Sequence, residues 1–106
     1  MGACELELTA GALVVALCAD YKRRKDMLRL ENISRRARAE LSYINSKMLD
    51  AASEVVGEEL AEVYIGEIGE RIGYAYSVVT DISEVTYKIN KRKVKEAIAK
   101  KLYLAE

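Results

Sequence analysis

Ile33, Ala37, Leu41, Ile44, Met48, Ala51 and Val55 step along the chain in threes and fours. That rhythm keeps them on one face of an α-helix, at nearly coiled-coil spacing. Asn32 or Ser34 is placed to cap the start of this helix, and Gly57 to stop it. A second stripe follows the acids Glu58 and Glu59, which favour a helix N-terminus. It comprises Ala61, Ile65, Ile68, Ile72, Ala75, Val79 and Ile82, and it predicts a long third helix. Gly66, Gly69 and Gly73 each come one residue after an isoleucine of the stripe, so they form a flank about 100° round the helix. Leu60, Tyr64, Arg71, Tyr74 and Val78 form the other flank. A glycine inside a helix costs about 1 kcal/mol relative to alanine. Three in one stripe therefore call for a compensating feature, and the expected one is another backbone lying close.

The two ends of the chain are less regular. A first helix is expected from about Thr9, as N-cap, to the mid-twenties, with Leu13, Leu17, Tyr21 and Leu28 roughly on one face. Its first half is apolar all round and calls for burial, whereas Lys22-Arg23-Arg24-Lys25-Asp26 must be solvated or paired. After residue 82, Val85 and Ile89 continue the stripe and Lys91-Arg92-Lys93 interrupts it. Val94, Ile98, Leu102 and Ala105 resume it as a final basic helix. A turn is expected near Thr80-Asp81 or Ile89-Asn90. The alternative for residues 72–89 is a β-hairpin in an α+β fold. Ile72, Tyr74, Tyr76 and Val78 alternate, as do Val85, Tyr87 and Ile89, although no Asn-Gly turn joins them. The fold expected is all-α, a single domain over residues 1–106 forming a bundle of about four helices.

Composition sharpens this by what it lacks. The 106 residues include no proline, tryptophan, phenylalanine or histidine. No proline means that nothing forbids long helices, and no histidine removes His-based triads, metal ligands and proton switches. Cys4 and Cys18 make neither a metal motif nor a disulfide framework, and Cys18 reads as a buried reduced thiol. The apolar run from Ala10 to Ala19 is too short to span a bilayer, and Glu5 and Glu7 precede it where a signal peptide would carry positive charge. A cytoplasmic protein with no membrane partner is expected.

The 17 basic and 17 acidic residues balance overall but are segregated. Residues 21–38 carry a net +6, residues 39–86 a net −8 and residues 87–106 a net +5. The basic candidates for a nucleic-acid contact are Arg23, Arg24 and Lys25 in one cluster, and Lys91, Arg92, Lys93 and Lys95 in the other, with Tyr87 and Tyr103 nearby. A helix–turn–helix over Ile82 to Leu104 would use the segment from Lys91 as its recognition helix, but it lacks the usual turn glycine. The competing expectation is that basic and acidic segments pair along neighbouring helices.

Glu59-x-x-Glu62, Glu67-x-x-Glu70 and Asp81-x-x-Glu84 each put two carboxylates on one helical face, and such pairs on facing helices can hold Mg²⁺. Glu59-x-x-Glu62 followed by Asp81-x-x-Glu84 resembles the all-α nucleotide pyrophosphohydrolases, whose pattern is Glu-x-x-Glu followed by Glu-x-x-Asp. The resemblance covers eight residues, and the second pair is reversed here. It implies a Mg²⁺-dependent nucleotide hydrolase with Glu59, Glu62, Asp81 and Glu84 as ligands. No nucleophile is accompanied by a base, and no glycine loop cradles a phosphate. The leading expectation is therefore a non-enzymatic interaction or assembly module without cofactor. Its partner is a second copy or another helical protein, and its contact residues are Gly66, Gly69, Gly73, Tyr74 and Tyr76. A small nucleic-acid-binding regulator is the alternative.

Overall fold

The computed structural model describes residues 2–102, with side chains from Gly11 onward. Expectations resting on the side chains of Cys4, Tyr103, Leu104 and Ala105 lie outside the described residues. The fold is all-α: α1 (Gly2–Ala19), α2 (Tyr21–Met27), α3 (Arg35–Val56), α4 (Glu58–Gly69) and α5 (Glu84–Lys101), with a 3-10 turn at Tyr74–Tyr76. Among the described residues there is no strand, so the hairpin alternative for 72–89 is set aside.

Helix α3 forms where its stripe predicts, and it is the centre of the bundle, packed against α2, α4 and α5. Ser34 caps it, its side chain accepting the Ala37 N–H at 3.1 Å. Met48 and Ala51 from the stripe are fully buried, together with Ala52. Gly57 ends α3 at φ +86°, a conformation that an L side chain resists, and the same residue starts α4. Helix α1 packs against α4 and α5. It begins at Gly2, well before Thr9, because its backbone is already helical there. A one-residue break at Asp20 separates it from α2.

The long third helix does not form. Helix α4 stops at Gly69 in a Schellman-type closure: the Arg71 N–H bonds the Ile68 carbonyl (3.2 Å) and the Ile72 N–H bonds the Glu67 carbonyl (2.9 Å). The left-handed residue that this closure requires is Arg71, at φ +58°. Ala61, Ile65 and Ile68 enter the core as expected, and so does Tyr64 from the predicted flank. Beyond the stop, Val79 is buried and Ile82 half-buried because the segment 70–83 folds back over the core, not because they continue a helix. Ser83 then caps α5, accepting the Thr86 N–H at 3.2 Å, and α5 runs through Lys91-Arg92-Lys93 without a break. It anchors itself by Tyr87, Val94, Ile98 and Ala99.

The chain is flat, 44 × 38 × 21 Å. Its radius of gyration is 14.4 Å, where about 12.9 Å is usual for a domain of this length. It exposes 7329 Å², roughly 1,400 Å² more than a compact monomer of its mass.

Candidate interaction surface: a latched loop beside an apolar groove

Glu67 is the centre of the loop's attachment. It lies on the α4 face that also carries Leu60 and Tyr64, and it is buried. The Ser77 hydroxyl donates to it at 2.6 Å, the Tyr87 hydroxyl at 2.6 Å and the Val78 N–H at 3.0 Å. Burial by itself pushes the carboxyl upward. The bonds from Ser77, Tyr87 and Val78, with the nearby Lys91 charge, outweigh it and hold Glu67 below the usual carboxylate range. Burial and the bond to Glu67 push the Tyr87 phenol up to about 12.

Three tyrosines pack around this centre. Tyr87 lies between Tyr64 and Tyr74, with ring centroids 5.6 and 5.7 Å away. The Tyr74 hydroxyl donates to the Ile82 carbonyl at 2.8 Å, and the Asn90 amide donates to the Tyr64 hydroxyl at 3.2 Å. Lys91 sits over the Tyr87 ring and donates to the Ile72 carbonyl at 2.6 Å. The segment from Ile72 to Ile82 is therefore tied to α4 and α5 by side chains, where a free loop would have only water.

Several apolar side chains nearby stay in solvent. Tyr76 is 85% exposed, Val78 72% and Val85 67%. Val78 also lines a groove of about 350 Å³ with Val55, Val56, Leu60 and Ile82, and Asn90 closes one side of it. Val85 and Ile89, one helical turn apart on α5, add exposed apolar surface next to Asn90.

The residues singled out in the sequence are dispersed by the fold. At Gly69 a Cβ would stand 2.5 Å from the Ala19 nitrogen and from the Cys18 carbonyl carbon, so a close backbone does lie there, and it belongs to α1 of the same chain. At Gly66 and Gly73 nothing lies within 4 Å of that point. Gly66 edges a charged cleft of about 340 Å³ between α2 and α4, and Gly73 lies outside α4 in extended backbone. Tyr74 turns inward onto Tyr87, and Tyr76 stays outside.

The first basic cluster is largely absorbed by the fold. Arg24 is buried, donating to the Asn45 side chain (2.6 Å) and the Leu17 carbonyl (2.5 Å), with Asp20 at 3.7 Å. Arg23 pairs with Asp20, and Lys25 pairs with Glu62 at 2.7 Å. In the second cluster Lys91 holds the loop and Arg92 faces Glu96 at 3.8 Å. Lys93 and Lys95 make no ion pair among the described side chains.

Of the acidic candidates, Glu62 accepts from Tyr21 (2.8 Å) as well as Lys25, Glu84 pairs with Lys88 (2.8 Å), and Glu59 and Asp81 are exposed. No three acidic or thiol side chains gather at a metal-holding spacing among the described residues.

Arg24 was singled out as a nucleic-acid candidate and Glu67 as half of an acidic pair, but their burial was missed, although each left a signal. Leu17, Tyr21, Arg24 and Leu28 step by four, three and four, and so do Leu60, Tyr64, Glu67 and Arg71. In each stripe the charge occupies a position that periodicity assigns to an apolar face. No family model, curated protein or solved structure matches this chain.

Proposed function

We propose that this chain is a non-enzymatic helical module that works by self-association, as a homodimer with an assembly or regulatory role in the cytoplasm. The observation that carries this reading is the outward apolar side chains of Tyr76 and Val78 on a segment hydrogen-bonded to Glu67, with Val78 and the half-exposed Leu60 lining one groove. Exposed apolar side chains beside an apolar groove favour a contact site. Burial pushes the Cys18 thiol up to about 12, which keeps that sulfur in its unreactive protonated form. No helix among the described residues is long and apolar enough to cross a membrane. Sedimentation over a wide concentration range tests the proposal. A mass of two chains, falling to one on dilution, is the expected result, and a single-chain mass at every concentration overturns it.

A second reading, a nucleic-acid-binding regulator, rests on α5. That helix carries seven cations against two acids, and Lys88, Arg92 and Lys93 are on its solvent side. Their exposed pairs with Glu84 and Glu96 are weak and exchangeable. Binding to random-sequence duplex DNA, titrated with salt, separates the two readings. Affinity that falls steeply with salt and is lost on changing Lys88, Arg92 and Lys93 to Glu favours this one. Lys91 stays in place in that variant because it holds the loop.

A further inference from the structure

We propose that the cleft between α3 and α5 is a binding site for an oligophosphate group, held by Lys47, Lys93 and Lys100. The inference goes beyond the self-association proposed above and does not depend on it.

Helices α3 and α5 pack side by side and leave a cleft of about 540 Å³ along their seam. Small-molecule sites are commonly of this size. Four lysines line it against two glutamates. Both glutamates already face cations: Glu54 pairs with Lys101 at 2.8 Å, and Glu96 faces Arg92 at 3.8 Å. That leaves Lys47, Lys93 and Lys100, none of which makes an ion pair among the described side chains. Lys93 and Lys100 are seven positions apart, on one side of α5. Lys47 lines the same space from α3; it is half-buried, with its Nζ 5.6 Å from the centre of the Tyr43 ring.

Three like charges around one recess repel one another, and the helices that wall the recess concentrate their field. A multivalent anion relieves that repulsion. A carboxylate carries one charge, whereas a chain of phosphates carries at least one per unit and meets lysines from both walls at once. The ammonium group binds phosphate as a compact point charge, and no arginine is among the described residues lining the cleft to favour a planar carboxylate. Val55 and Ala97 give the cleft an apolar wall against which the lysine stems can lie. The attraction for anions ends at Lys101, because the adjoining cleft is acidic, lined by Asp50, Glu54 and Glu58. Lys88 and Arg92 do not line the α3–α5 cleft, so it is distinct from the outer face of α5.

The test uses the full chain at low salt without added metal. Inorganic tripolyphosphate, titrated by calorimetry, should bind and should raise the melting temperature. Lys47→Gln combined with Lys100→Gln should weaken that binding roughly tenfold or more. Lys22→Gln combined with Lys88→Gln removes the same charge elsewhere and should weaken it less than about threefold. All four are surface lysines, so both double variants should fold, which thermal melting checks. ATP is the second probe. Equal affinity for ATP and tripolyphosphate assigns recognition to the phosphate chain alone, and tighter ATP adds the apolar wall as a contact for its base; either result supports the site. Three results overturn it: no binding by the wild type, equal weakening in the two double variants, or orthophosphate bound as tightly as tripolyphosphate.

Discussion

Arg24 and Glu67 are both buried charges, and both fasten a place where helical order breaks. Arg24 reaches from α2 to the Leu17 carbonyl near the end of α1 and to Asn45 on α3, so it ties the joint at Asp20 into the bundle. Glu67 reaches from α4 to Ser77, Val78 and Tyr87, so it ties the segment 70–83 down. What differs is what each network presents to solvent. Around Arg24 the polar groups satisfy one another: Arg23 with Asp20, Tyr21 and Lys25 with Glu62, and the Asn45 amide with the Tyr21 carbonyl. Above Glu67, Tyr76 and Val78 stay in solvent, and Val78 lines an apolar groove. A buried charge, then, does not by itself mark a working surface; the informative part is the outward side of the segment that it holds.

The comparison can be broken first at the α1 joint. Gly69→Ala places a Cβ against the backbone of Cys18 and Ala19, which no rotamer change relieves. A loss of about 3 kcal/mol or more is expected by denaturant unfolding. A variant as stable as wild type would show that α1 and α4 can separate there freely.

Next come the two charges themselves. Arg24→Met should cost roughly 2–3 kcal/mol, because Asn45 and the Leu17 carbonyl lose a buried donor. It should leave self-association unchanged in samples that remain folded. Glu67→Gln should cost less, about 1–2 kcal/mol, and should weaken self-association because the loop beneath Tyr76 loosens. Equal effects of both variants on association would erase the distinction drawn between the two regions. Glu67 also predicts a pH dependence. Its carboxyl is held below the ordinary value of 4.5, so its stabilisation is fully present above that pH and is lost as pH falls through the folded value. The stability gap between wild type and Glu67→Gln should therefore be constant from neutral pH down to about 4.5 and close below it. A gap that closes between pH 7 and 5 would assign the effect to another group.

The smallest expected effect is of opposite sign. Gly66 is inside α4 with nothing within 4 Å of a Cβ position. Gly66→Ala should stabilise the fold by about 0.5–1 kcal/mol through helix propensity alone. Set beside Gly69→Ala, it separates a glycine required by a close backbone from one that is not.

Much of the local structure was legible because its signals are local. The α3 stripe, the Ser34 cap, the Gly57 stop and the start of α4 at Glu58 all depend on residues a few positions apart. The stop at Gly69 was not legible. The left-handed position is held by Arg71, not by a glycine, and Ile72, Val79 and Ile82 keep helical spacing even though they are buried by a folded-back loop. The candidate surface was partly legible. Tyr76 was named from the sequence, but the groove that Val78 lines comes from residues 55–90 on three helices and a loop, which no local pattern brings together. The cations told least, because most of their partners come from other turns and other helices.

By itself, then, the sequence favoured an all-α chain over a hairpin at 72–89, marked where α3 begins and ends, and called for a close backbone along the whole stripe of Gly66, Gly69 and Gly73. Those features follow from periodicity, capping and the missing Cβ, which act over a turn or two of helix. Only the tertiary structure decided that Gly69 meets such a backbone while Gly66 and Gly73 do not, which charges were buried, and that Tyr76 stands outside on a pinned loop. These depend on burial, and whether a charge meets water or a hydrogen-bonding partner is settled only when distant segments pack.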